Sequence, residues 1–136
     1  MTSTQKDNFS AAGTTQHWIT NHKYIEYTDV KGNPQKVAEA VVTTPHLVKL
    51  NGNEFMLLWT ETVSVIKENK PVKSIVQKSI LLNGNGEPIS GIYSFDEPLS
   101  ECKPIVVDGN LVWYYTDKSE PKFCTLNPND VRKVPR

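Results

Sequence analysis

Three histidines, two pairs of acidic residues, two cysteines and a group of aromatic residues are the side chains with chemistry to offer. His17, His22 and His46 have no carboxylate or cysteine beside them at ligand spacing. A structural metal site draws four ligands from closely spaced pairs, so packing or surface histidines are expected, with no metal and no other cofactor. Glu54 and Glu61 stand at the two ends of one apolar run, and Asp96 and Glu97 adjoin before Pro98. Two carboxyls about 5–10 Å apart across a cleft cleave glycosides. These four residues are therefore the candidates if the chain is an enzyme. Neither pair has a second feature such as a flanking tryptophan platform, so solvated charges are the expectation. There is no Gly-x-Ser-x-Gly elbow and no Cys/His nucleophile motif. Asn83-Gly-Asn-Gly86 lacks the Lys-Ser/Thr pair and the following helix of a phosphate loop, and reads as a turn.

The remaining candidates are aromatic. Trp59, Trp113, Tyr114 and Tyr115 are the expected ligand-binding residues, as a platform for stacking a sugar or as the lining between repeated units. Along 111–116 the strand period places Leu111, Trp113 and Tyr115 on one face and Val112 and Tyr114 on the other. Trp at the same place in each unit is what packing demands, so covered faces are the expectation. Cys102 and Cys124 flank the second of two hairpins. A bridge is geometrically open to them if the chain is exported, and two small buried thiols are the plainer expectation.

The elements that must carry these residues are strands. Residues 45–61 hold two runs of β formers around Asn51-Gly52-Asn53, and the second run ends on Trp59. Asn-Gly between apolar runs predicts a type I′ turn, whose central residues both need positive φ. A shorter copy runs over 104–116 through Asp108-Gly109. Further strands are expected over 23–30, 73–82, 91–95 and 123–126, an extended connection over 36–42 and a polar loop over 67–71. No amphipathic helix is found, and the nine prolines and seven glycines fall almost entirely between the runs. The class is all-β. Residues 1–15 read as a disordered polar tail, 16–127 as the β domain, and 128–136 as a polar tail with a turn of helix at most.

Composition narrows the partners. Fifteen basic and fifteen acidic residues cancel, and nucleic-acid binders carry a net-basic face. No apolar run approaches the roughly 18 residues that span a bilayer. The first residues lack the basic start and apolar middle of a signal peptide, so the chain is expected to be cytosolic or to have lost a leader. Neither a nucleic acid nor a membrane is an expected partner.

A period is also present. Trp59 and Trp113, Gly32 and Gly86, and Pro34 and Pro88 each lie 54 residues apart. Both units run through a strand, Gly-x-Pro, a connection, a hairpin and a tryptophan, with about four strands per unit. Leu47 to Trp59 followed by Ile75 to Pro88, and again Ile105 to Trp113, resemble the repeats of bacterial, often secreted, β-propeller proteins, which run "apolar strand, Asp/Asn-Gly turn, apolar strand ending in Trp, loop, strand, Asn/Asp-x-Gly-x-Pro". The resemblance spans about 16–127, in units of about 16–34, 35–88 and 89–127. It lacks the Trp-Asp, kelch and sialidase signatures. It implies two to three propeller-like antiparallel blades, where the alternative is a compact β-sandwich or barrel. Too few blades are present to close a ring, since propellers typically have 4–8. The resemblance therefore implies a non-catalytic binding or scaffold module that self-associates as a homo-oligomer or stacks on neighbouring blades of a longer chain. It further implies an extracellular setting and a protein or glycan partner.

Overall fold

The computed structural model describes residues 19–136; the tail expected over 1–15, together with His17 and Trp18, lies outside the described residues. The chain is all-β. A hairpin of β1 (Tyr24–Thr28) and β2 (Pro34–Ala38) leads into a four-stranded meander of β3 (Ala40–Lys49), β4 (Glu54–Lys67), β5 (Lys70–Asn83) and β6 (Tyr93–Phe95). A three-stranded meander of β7 (Ile105–Val107), β8 (Asn110–Asp117) and β9 (Glu120–Leu126) follows, and a short helix, α1 (Pro128–Arg132), ends the fold. Every pairing is antiparallel. The extended connection expected over 36–42 is the end of β2 and the start of β3.

The turns depart from expectation in an instructive way. Among the described residues three two-residue turns have both central φ angles positive: Glu68-Asn69, Asp108-Gly109 and Lys118-Ser119. This is the type I′ geometry whose twist matches paired strands. The first replaces the loop expected over 67–71, and it takes Pro71 into β5 opposite Ile66. Asn51-Gly52, the turn expected to be type I′, is not. Gly52 has no positive φ, and a wider loop is closed by Asn51 Oδ1, which accepts from the Asn53 N–H at 2.9 Å. Pro45 lies inside β3, at a bulge between Thr43 and His46 where Thr44 has φ 52°.

The 54-residue period has a structural counterpart at the Gly-x-Pro turns. Asp29 Oδ1 accepts from the N–H groups of Lys31 and Asn33, and Asn83 Oδ1 accepts from those of Asn85 and Glu87. In both turns the first residue's carbonyl also receives the glycine N–H, from Gly32 or Gly86, and its own N–H donates four residues on. The register matches too, with Thr28 opposite Pro34 and Leu82 opposite Pro88. Asn127 after β9 repeats the first half of this arrangement, accepting from Asn129 on its side chain and from Asp130 on its carbonyl. Strands β1, β5 and β9 therefore end alike.

The tryptophans do not keep this alignment. Trp59 pairs with Lys78, five residues before Asn83, whereas Trp113 pairs with Cys124, three before Asn127. Trp113 corresponds to Leu57, and Tyr115 to Trp59. Both tryptophans still fall on the corresponding face of their sheets.

The two larger sheets pack face to face. Met56 and Leu58 of β4, Leu81 of β5 and Phe95 of β6 meet Leu111 and Trp113 of β8 and Cys124 and Leu126 of β9 in one core. Met56, Leu58, Leu81 and Leu111 have no exposed surface. The opposite face of the four-stranded sheet buries Trp59, Ile80 and Leu82 under Ile19. Both faces of β4 are covered, as its doubly apolar run implies.

The C-terminal segment, expected as a polar tail with a turn of helix at most, forms that turn and packs it into the core. Asn127 caps α1, Pro128 occupies its first turn, and Val131 is wholly buried in the inter-sheet core. Beyond the helix the chain runs tight against Gly91, whose N–H donates to Val134 O at 2.9 Å. A Cβ there would collide with Pro135 O and come within 2.8 Å of Val134 Cγ1. Gly91→Ala is therefore expected to destabilise the fold by about 1–3 kcal/mol through overpacking. Faster hydrogen exchange at 131–134 in the variant would check it, and an unchanged urea midpoint would contradict it.

Candidate functional site

Among the described residues buried charge gathers on the Trp59 face of the four-stranded sheet. Glu61 has no exposed surface. The indole N–H of Trp59 donates to its Oε2 at 2.9 Å, and Lys78 Nζ lies 3.0 Å from Oε1. Lys78 reaches it diagonally across the ladder, because Trp59 stands opposite Lys78 and Glu61 opposite Val76. His22 joins from the segment before β1, with Nε2 at 3.2 Å from Glu61 Oε2 and Nδ1 at 3.4 Å from Glu39 Oε1. Glu39, between β2 and β3, donates its N–H to Lys23 O and accepts the Ser64 N–H. The cluster thus ties the N-terminal hairpin to the sheet. Burial pushes the Glu61 carboxyl up, but Trp59, Lys78 and His22 together outweigh it and hold the group below its ordinary value of 4.5.

Beside this cluster a crevice of about 120 Å³ lies between Ile19, Thr20, Val42, Pro45, Leu57 and Trp59. Its volume is well below the roughly 300 Å³ at which pockets for drug-sized ligands begin. A wider hollow of about 510 Å³ runs along β1 and β2, and the described residues that line it belong to that hairpin.

The sequence candidates scatter. Glu54 and Glu61 project from opposite faces of β4 and cannot bracket one substrate. Glu54 is held by Arg132, whose two terminal nitrogens reach its two oxygens at 2.6 and 3.1 Å. That contact keeps its carboxyl below the ordinary range. Asp96 and Glu97 lie in the exposed loop after β6. His46 contacts Ser100 O through Nε2 at 2.7 Å. Among the described residues no three His, Cys, Asp or Glu side chains converge as a metal would require. Cys102 and Cys124 are free thiols, and burial pushes that of Cys124 up, with Glu97 adding to it. No helix among the described residues is long and apolar enough to cross a membrane.

The four aromatic candidates do not form one platform. Trp59 is 3% exposed and lies against Glu61; Trp113 is 2% exposed, donates its indole N–H to Pro98 O at 2.8 Å and meets Phe95 edge-on at 5.9 Å. Tyr115 packs half-buried against the inter-sheet core. Tyr114 alone offers its ring outward, 45% exposed and paired at 6.1 Å with Phe123, which is 77% exposed.

Sequence reasoning missed both Phe123 and the Glu61 cluster. Placing the β4–β5 turn at Glu68-Asn69 would have set Glu61 and Lys78 on one face by register alone. Nothing in the local pattern marks His22 as their partner. Comparisons with family models, with curated proteins and with solved structures return no match.

Proposed function

We propose that this chain is a non-catalytic binding or scaffold module of propeller-like repeats, which self-associates and presents an aromatic sheet face to a protein or glycan. One observation carries the reading: the outer face of the three-stranded sheet bears Tyr114 and Phe123 as an exposed ring pair with Ile105 and Val107 beside them. Exposed contiguous apolar patches mark interaction surfaces. The recurring turns at Asp29, Asn83 and Asn127 support the repeat. So does the sense of packing, since the Trp113 face of one sheet covers the face of the other that lies opposite Trp59.

Light scattering over a concentration series tests it. The mass is expected to rise above that of one chain, and the double variant Tyr114→Ala/Phe123→Ala to remain monomeric and folded. A monomeric wild type that hydrolyses a glycoside, with turnover lost on replacing Asp96 or Glu97, would overturn it.

A further inference from the structure

Resting on the self-association proposed above, we infer that copies of this chain stack head to tail, the outer face of one copy's three-stranded sheet seating on the Trp59 face of the next copy's four-stranded sheet. The junction inside the chain is the template. There Met56, Leu58 and Leu81 are sealed by Leu111, Trp113 and Leu126. Aligning the sheets on their matching turns, Asn83 on Asn127, places Met56 with Val112, Leu58 with Tyr114 and Ser79 with Phe123. The positions buried in the first sheet are thus the open ones in the second.

Among the described residues nothing packs on that second face. Ile105 is 62% and Val107 44% exposed there, and none of the side chains that β7, β8 and β9 place on it is charged. The other end of the stack is the face of Leu57 and Trp59, which corresponds to the face of Trp113. Ile19 and His22 cover it in part, leaving Leu47 48% and Val42 44% exposed beside the crevice. The two ends therefore stand in the same relation as the two faces that already meet within the chain. A second copy adds a sheet at each end by continuing that junction, over the open outer face at one end and over the Leu47 and Val42 side of the part-covered Trp59 face at the other. Two outer faces pairing with each other would satisfy only one end. Head-to-tail contact uses both, and it closes into a ring or runs on as a filament according to its rotation.

Phe123→Lys spoils one end and Leu47→Lys the other, both at exposed side chains, with thermal unfolding as the check that each variant folds. Thr125→Lys and Val42→Lys repeat the test on the same two faces. In sedimentation velocity from about 1 to 500 µM, a range that detects micromolar association, wild type is expected to form concentration-dependent oligomers. Each variant alone is expected to associate at least about tenfold more weakly, the effect of losing about 1.4 kcal/mol. Their 1:1 mixture is expected to form a heterodimer that grows no further, because each variant retains the end the other lacks. Leu47→Lys associating like wild type would overturn head-to-tail stacking while leaving self-association standing. So would Phe123→Lys associating like wild type, or a mixture that stays monomeric. A wild type monomeric throughout would overturn both this stacking and the self-association it rests on.

Discussion

Glu61→Ala is expected to destabilise the fold by about 3 kcal/mol at neutral pH, measured as the shift of the urea unfolding midpoint. Removing one partner of a buried ion pair typically costs about 3–5 kcal/mol, because the other charge is left uncompensated. Here Lys78 and His22 keep about a quarter of their side-chain surface, 23% and 24% exposed. Both can turn part-way to water, which places the effect at the low end. The Trp59 N–H has no such escape, since its ring is 3% exposed. Glu61→Leu with Lys78→Met is expected to recover much of the loss, because an apolar pair of similar volume often equals a buried ion pair.

The same residue sets an acid response. A carboxyl held below its unfolded value stabilises the fold fully above that value, near 4.5. The contribution is lost as pH falls through the lower folded value. Wild type should therefore lose stability below about pH 4.5 more steeply than Glu61→Gln. Parallel acid limbs in the two proteins would contradict the account of Glu61.

Trp113→Ala is the second large effect, expected at about 3–5 kcal/mol. It empties the centre of the inter-sheet core against Phe95 and leaves Pro98 O without its donor. Tyr114→Ala, one residue along the same strand, is expected to change stability by no more than about 0.5 kcal/mol, as exposed substitutions usually do. The contrast between neighbours matters more than either number. In dilute solution, below the concentrations of self-association, comparable losses at 113 and 114 would mean that both faces of β8 are covered within the chain.

That contrast marks where sequence stopped being informative. Alternation along 111–116 separates Trp113 from Tyr114, but a strand with aromatics on both faces does not say which side meets the core. The sheet stacking decides it, through Met56 and Leu58 more than fifty residues away. The two expected hairpins and the all-β class were legible, because β-branched runs and Gly or Pro breaks act locally. The Gly-x-Pro spacing was legible for the same reason, since an Asx turn closes on its own backbone.

The tryptophan coincidence was not informative in the same way. Trp59 and Trp113 share a spacing, yet their registers differ by one pleat, because one unit lengthens its connection while shortening its hairpin. Turn chemistry also misled at Asn51-Gly52, where side-chain capping competes with positive φ. Glu68-Asn69 and Lys118-Ser119 take up type I′ geometry without glycine because long paired strands hold them in it. The turn of helix was legible but its burial was not, because Val131 and Val134 stand in a polar run and only the tertiary partners of Val131 show that it is buried. The Glu61 cluster was hidden for a related reason: its members come from three separate segments, at 22, 39 and 59–78, with no shared local signal.

The stacking of the two sheets is tested most directly by nuclear Overhauser contacts from the tryptophan indoles of the folded chain. Ring protons of Trp113 should show cross-peaks to Phe95, and those of Trp59 to Ile80 and Leu82, with no neighbour common to both indoles. Cross-peaks joining Trp59 and Trp113 to one shared set of side chains would contradict it.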